Sequence, residues 1–97
     1  MFAVIFRATI KHFDDEYFAM AKQLRELAQE KYGCLEFISS SENDQELAIS
    51  YWATQEDIMA WKQDALHQVA QEKGRTRWYS HYSVEIVEVL RRYSSTL

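Results

Sequence analysis

Phe2-Ala3-Val4-Ile5-Phe6-Arg7-Ala8-Thr9-Ile10-Lys11 alternates along an extended backbone, with Phe2, Val4, Phe6, Ala8 and Ile10 on one side. Ala3, Ile5, Arg7, Thr9 and Lys11 fall on the other. A period of two over ten residues is the mark of a strand with one buried face. The second face is unusual, because Ala3 and Ile5 make it apolar too at one end. A strand that is apolar on both sides needs a layer on each, and this requirement drives the reading of the rest of the chain.

After this strand, Asp14 or Asp15 can cap a helix by accepting from a free backbone N–H, and the acids also suit the positive end of its dipole. Tyr17, Met20, Ala21, Leu24, Leu27 and Ala28 recur at three-four spacing, which predicts a helix over about residues 14–32 ended by Gly33. Leu35 and Phe37 then alternate with Glu36 and Ile38, and the polar run Ser39-Ser40-Ser41-Glu42-Asn43-Asp44 supplies turn formers. Leu47, Ile49 and Tyr51 alternate with Ala48, Ser50 and Trp52, so the two runs form a hairpin. Thr54 with Asp57 three residues on resembles a capping box and opens a second helix that runs to Gly74. Its buried stripe holds Ile58, Ala65, Leu66 and Val69. The last strand lies within Trp78–Tyr93, and its slipping alternation near Val87-Glu88 predicts a bulge or a change of face there.

The order βαββαβ, with short links and no proline, predicts an α+β fold: a ferredoxin-like sandwich with both helices on one face of an antiparallel sheet. Ninety-seven residues suffice for one core, so residues 1–97 are read as a single domain. The uncovered face is expected to carry Ala3, Ile5, Ile38, Ala48, Trp52 and part of the last strand. Covering it with a second copy gives a homodimer, a dimeric α/β barrel, burying on the order of 1,600 Å² as stable interfaces do.

The formal net charge of −4 repels a phosphate backbone, which argues against nucleic acid as a partner. No apolar run is long enough for a bilayer, and the first residues lack the pattern of a signal peptide. The single cysteine, Cys34, suits a reducing compartment, so a cytoplasmic location and no membrane partner are expected. His12, His67 and His81 show no HExxH or HxH spacing, so no metal site is expected. Nucleophile-elbow, P-loop and dinucleotide motifs are likewise missing from the sequence.

Three Trp, six Tyr and five Phe are many for this length, and most belong to the core and the dimer seam. The remainder predicts a pocket between helices and sheet for a small aromatic molecule, lined by Tyr51, Trp52, Trp61, Trp78, Tyr79 and Tyr82, with Arg7 or Arg77 as a polar anchor. Trp61 falls at the border of the second helix's stripe and can look into that pocket. His67 falls roughly 120° from Trp61, so in a straight helix it faces solvent, and a role for it requires the helix to bend. Asp64 and His67 stand at i, i+3, where an acid–imidazole pair can form.

The segment Ile49-Ser50-Tyr51-Trp52-Ala53-Thr54, followed by Trp61 and His67, resembles the antibiotic biosynthesis monooxygenase family. The likeness extends through Ala70-Gln71, Gly74-Arg75 and Trp78-Tyr79 to the last strand. It implies a dimeric ferredoxin-like α+β barrel, in agreement with the architecture reached from periodicity. It further implies cofactor-independent oxygenases of polycyclic phenols or quinols on one branch and haem-degrading enzymes on another. Trp61 matches the helix tryptophan that borders the ligand cavity in both. The haem branch has an Asn on the first strand and a ligating His ten residues beyond that tryptophan, whereas Phe6 and Gln71 stand at those positions here. The resemblance therefore implies a monooxygenase without a cofactor, with Trp61 and His67 as catalytic residues. Tyr51, Trp52, Arg7, Trp78 and Tyr82 are the substrate-binding candidates. The alternative from another class is a non-catalytic dimeric module that binds a small molecule or a protein partner through the same pocket.

Overall fold

Four strands and three helices alternate along the chain in the computed structural model, which describes Met1–Leu97. Strand β1 (Phe2–Ile10) leads to helix α1 (Asp15–Lys31), the hairpin β2 (Glu36–Glu42) and β3 (Gln45–Trp52), helices α2 (Gln55–Gln63) and α3 (Ala65–Lys73), and strand β4 (Tyr79–Glu88). The sheet is antiparallel in the order β2-β3-β1-β4, with the helices packed on one face. This is the ferredoxin-like α+β sandwich expected from the order of elements. No helix is long and apolar enough to cross a membrane.

Local chemistry explains the element ends. Asp14 caps α1, its carboxylate accepting the Tyr17 N–H at 2.7 Å. Gly33 leaves the helix at φ +79°, a conformation that costs glycine little. Asn43 takes a positive φ in the hairpin turn that joins Glu42 to Gln45. Thr54 caps α2 by accepting the Asp57 N–H.

Several sequence expectations are corrected. The second helix is not continuous: it breaks at Asp64, whose backbone is extended (φ −60°, ψ 142°), giving two nine-residue helices. Gly74 does cap the end of α3, but it stays in the right-handed region and starts a π turn over Gly74–Trp78, closed by the Tyr79 N–H donating to the Gly74 carbonyl. A Cβ on Gly74 would lie 2.5 Å from the Tyr79 ring, so the lack of a side chain is what allows the close approach. The last strand ends at Glu88, and its irregularity lies at the other end, where the register with β1 shifts between Thr9 and Ile10.

The register also decides which side chains share a face. Phe2, Val4, Phe6 and Ala8 pair with Trp52, Ser50, Ala48 and Glu46 of β3, and all of these face the helices. Ala48 and Trp52, expected on the open face, are therefore on the covered one. Trp52 is wholly buried, its Nε1–H donating to Ser50 Oγ at 2.8 Å. Ala3, Ile5 and Ile38 do lie on the open face, where Ile5 pairs with Ile49 and Ile49 with Ile38. Leu47, Tyr51 and Val87 extend the same surface. Two buried clusters lie beneath the helices, one around Trp52, Ile58 and Trp61 and one around Tyr17, Met20 and Trp78, with Leu24 packed against both.

Candidate functional site

Between the two clusters, helices and sheet line a partly open cavity of about 180 Å³, walled mostly by apolar side chains. An apolar void of roughly 150 Å³ holds a benzene-sized molecule, so this one has room for a small ring compound.

Asp64 positions the site's most distinctive pair. Its N–H donates to the Trp61 carbonyl at 3.1 Å, closing α2, and its carboxylate accepts the Leu66 N–H at 2.9 Å, opening α3. The same carboxylate accepts the Tyr32 hydroxyl at 2.6 Å and lies 3.8 Å from Lys31 Nζ. These bonds, the one from Tyr32 foremost, hold the Asp64 carboxyl below its usual range. The single extended residue re-aims α3 and turns His67 inward, so the bend on which a role for His67 depended is present. The imidazole lies edge-on against the Trp61 indole, ring centroids 4.3 Å apart.

His67 is desolvated there, with the Lys62 ammonium nearby, and these two effects push its pKa down to about 4 against weaker opposing pulls from Asp64 and the Trp61 carbonyl. The ring is thus neutral at neutral pH. Its Nδ1 is buried and has no hydrogen-bond partner. A buried nitrogen left without a partner is costly, and because the ring lines the cavity a small rotation would present that nitrogen to an occupant.

Trp61 is fixed by its Nε1–H, which donates to the Leu24 carbonyl at 3.2 Å, and by contact with Trp52 and Phe37. At the opposite end Trp78 donates its Nε1–H to Asp14, and its ring meets Tyr17 at 5.2 Å. Tyr79 contacts Tyr17, Phe6 and Tyr82. Burial first, and the Glu46 carboxylate among the lesser causes, raise the Tyr17 hydroxyl and push Tyr79 up to about 12. Both phenols keep their protons at neutral pH and can donate.

Of the residues singled out from sequence, Trp61, His67, Trp78, Tyr79 and Tyr82 line the cavity. Trp52 sits behind Trp61 without reaching it. Arg7 and Tyr51 are on the open face instead: Arg7 lies 4.0 Å from Glu85, and Tyr51 lies under the Arg92 guanidinium. Adjacent residues of a strand point to opposite faces, so Tyr51 and Trp52 do not share a pocket. Arg77 pairs with Asp14 and Glu16 outside the cavity. The cations that do line it are Arg25 and Lys62, neither of which the sequence reading selected. A signal existed for Arg25, which sits one turn from Ala21 and next to Leu24 on the buried stripe. Phe6 and Gln71, at the positions where the haem branch has its Asn and His, also line the cavity.

No protein-family model matches the chain. The uncharacterized Bacillus subtilis protein YqjZ is 35% identical over 92 residues, which span 94% of this chain and 81% of that protein. A Pyricularia oryzae protein, jasmonate monooxygenase ABM, is 35% identical over 94 residues, and the match spans only 43% of its length. Among solved structures, a mutant form of SnoaB, a cofactor-independent oxygenase from Streptomyces nogalater, superimposes with a TM-score of 0.80 at 10% identity over 97% of both chains. An antibiotic biosynthesis monooxygenase superimposes with a TM-score of 0.79 at 14% identity over 94% of this chain and all of that one. At these identities the structural likeness speaks for the fold.

Proposed function

We propose that this chain, which belongs to the antibiotic biosynthesis monooxygenase fold family, is a cofactor-independent monooxygenase of a small aromatic hydroxy compound. One observation carries the reading: a neutral histidine, His67, lines an apolar cavity edge-on to Trp61, with one buried ring nitrogen left without a partner. His67 accepts a hydrogen bond from the substrate hydroxyl and takes its proton only as electron density moves from the ring to O₂, since its lowered basicity disfavours a standing imidazolium. Trp61 forms the flat wall against the ring of the substrate.

The desolvated ring, hydrogen-bonded through its hydroxyl to His67, is electron-rich enough to react with O₂ directly. The substrate supplies all four electrons. One oxygen atom becomes a new ring carbonyl, and the other leaves as water with the two hydrogens given up by the ring carbon and its hydroxyl. Tyr79, whose proton is held firmly, donates to oxygen-centred charge at the far end of the cavity.

The open sheet face supports a homodimer as part of this reading. Ile5, Ile38, Ile49, Leu47 and Val87 form a contiguous apolar surface, and Ile38, Leu47 and Val87 are exposed in the single chain. A second copy packed on this face buries it. A cytoplasmic setting goes with the proposal, since Cys34 is a free thiol buried in the core.

The test is O₂ uptake across a panel of quinols, naphthols and anthrones with wild type, Trp61→Phe and His67→Ala. We expect turnover by wild type, substantial retention in Trp61→Phe, and a loss of about 100-fold or more in His67→Ala, the usual range for a positioned base. A compound that binds and raises the melting temperature without O₂ consumption anywhere in the panel would instead identify a binding module.

A further inference from the structure

Seven of the chain's eleven Lys and Arg residues make ion pairs, and four, Lys11, Arg25, Lys62 and Arg91, do not. Two of those four, Arg25 and Lys62, line the cavity. They come together for a geometric reason: Trp61 bonds the Leu24 carbonyl, and the next residue along each helix is Lys62 on α2 and Arg25 on α1. The cations thus flank one helix contact. The Lys62 charge is felt at His67, which places it at the same end of the cavity.

Arg25 is held by little. One nitrogen, Nη2, donates to Ser39 Oγ, and the guanidinium lies over the Phe37 ring at 5.2 Å. Its Nε–H is shielded from water and meets no acceptor. A donor left in that state is costly, and a small swing of the guanidinium toward an acceptor in the cavity relieves the cost. Phe37 in turn contacts Trp61, so Arg25, Phe37 and Trp61 form a continuous strip with a cation at one end and the aromatic wall at the other. The cavity's one carboxylate, Glu46, stands at the opposite end, where it acts on Tyr17 and Tyr79, and it accepts the Ser41 hydroxyl. The cavity is therefore polarised along its length.

We propose that the occupant of the cavity carries a single carboxylate, gripped by Arg25 with Lys62 beside it, and lays its apolar ring along Phe37 and Trp61. The planar guanidinium fork suits a carboxylate, and two cations in a mostly apolar cavity favour one negative charge over a neutral ligand. The inference rests on the proposed use of this cavity and narrows it to aromatic hydroxy acids. It also predicts that ligand binding brings an anion to the end of the cavity where His67 stands.

The probes are 2-naphthoate and 2-naphthamide, alike in shape and different in charge, titrated calorimetrically under nitrogen against wild type, Arg25→Met, Arg25→Lys and Lys62→Gln. We expect naphthoate to bind wild type about tenfold or more tighter than the amide, as a charge-assisted bond warrants. That preference should fall to within about twofold in Arg25→Met, which keeps the apolar stem, and survive in part in Arg25→Lys and Lys62→Gln. Equal affinity for the two probes, binding of neither, or a preference unchanged in Arg25→Met overturns the proposal. Because no oxygen is present, the outcome is independent of turnover. Discrimination without O₂ uptake elsewhere leaves this inference standing and removes the oxygenase, and uptake with neutral phenols but no discrimination does the reverse.

Discussion

The His67 imidazole meets the Trp61 indole edge-on at 4.3 Å because Asp64, midway between them, is extended and capped at both its helices. In an unbroken helix the two residues would stand roughly 120° apart. Asp64→Ala removes the cap of α3 and the acceptor of Tyr32 together. The expected cost is about 1–2 kcal/mol in denaturant unfolding. As α3 loosens, the His67 midpoint read by NMR climbs from about 4 toward the ordinary 6.5. A midpoint that stays near 4 in the variant would show that Asp64 does not aim the ring.

The same histidine sets a pH dependence of stability. Its folded pKa is about 4 and its ordinary value 6.5, so between those limits the unfolded chain binds more protons than the folded one. Stability is therefore full above pH 6.5 and declines as the pH falls toward 4. The decline attributable to His67 is at most about 3 kcal/mol, reduced by whatever water reaches the ring. Asp14 and Asp64, both depressed, lose their contributions only at lower pH, which separates the windows. His67→Gln should flatten the profile from 6.5 to 4 in urea melts, and an unchanged slope would assign it to other groups.

Gly74→Ala places a methyl 2.5 Å from a carbon of the Tyr79 ring. Tyr79 cannot retreat freely, since Phe6, Tyr17 and Tyr82 surround it. We expect a loss of about 1–3 kcal/mol and an altered cavity end near Tyr82. Gly74→Ala with wild-type stability would show that the π turn yields more easily than its packing suggests.

Ile49 pairs with Ile5 on one side and Ile38 on the other, at the middle of the open sheet face. Ile49→Glu puts a charge where a second copy would have to seal. Light scattering at micromolar concentration should give the dimer mass for wild type and the monomer mass for Ile49→Glu, with circular dichroism unchanged. A monomeric wild type removes the dimer from the proposal.

Much of the architecture could be read before any coordinates. Alternation in residues 2–11, the Asp14 and Thr54 caps and the stop at Gly33 each depend on local chemistry, and local chemistry is what a sequence states most directly. The faces of β3 were harder. Both of its sides carry apolar residues, Leu47, Ile49 and Tyr51 against Ala48 and Trp52, so periodicity gives the alternation without its phase. Phase came from pairing with β1, a long-range relation. The break at Asp64 contains neither proline nor glycine, and it stems from an acid satisfying Tyr32, 32 residues away, along with Leu66. Arg25 and Lys62 were hidden for a similar reason: their approach depends on how two helices cross.

The three tryptophans differ in what surrounds them, and this gives the molecule a built-in optical gauge. Trp52 lies behind Trp61 and Trp78 stands at the opposite end of the cavity, whereas Trp61 touches the imidazole. Protonated imidazole quenches indole fluorescence and the neutral ring does so far less. Emission from Trp61 should therefore dim when an anionic guest draws a proton onto His67, so that occupancy can be followed by light alone, without a label.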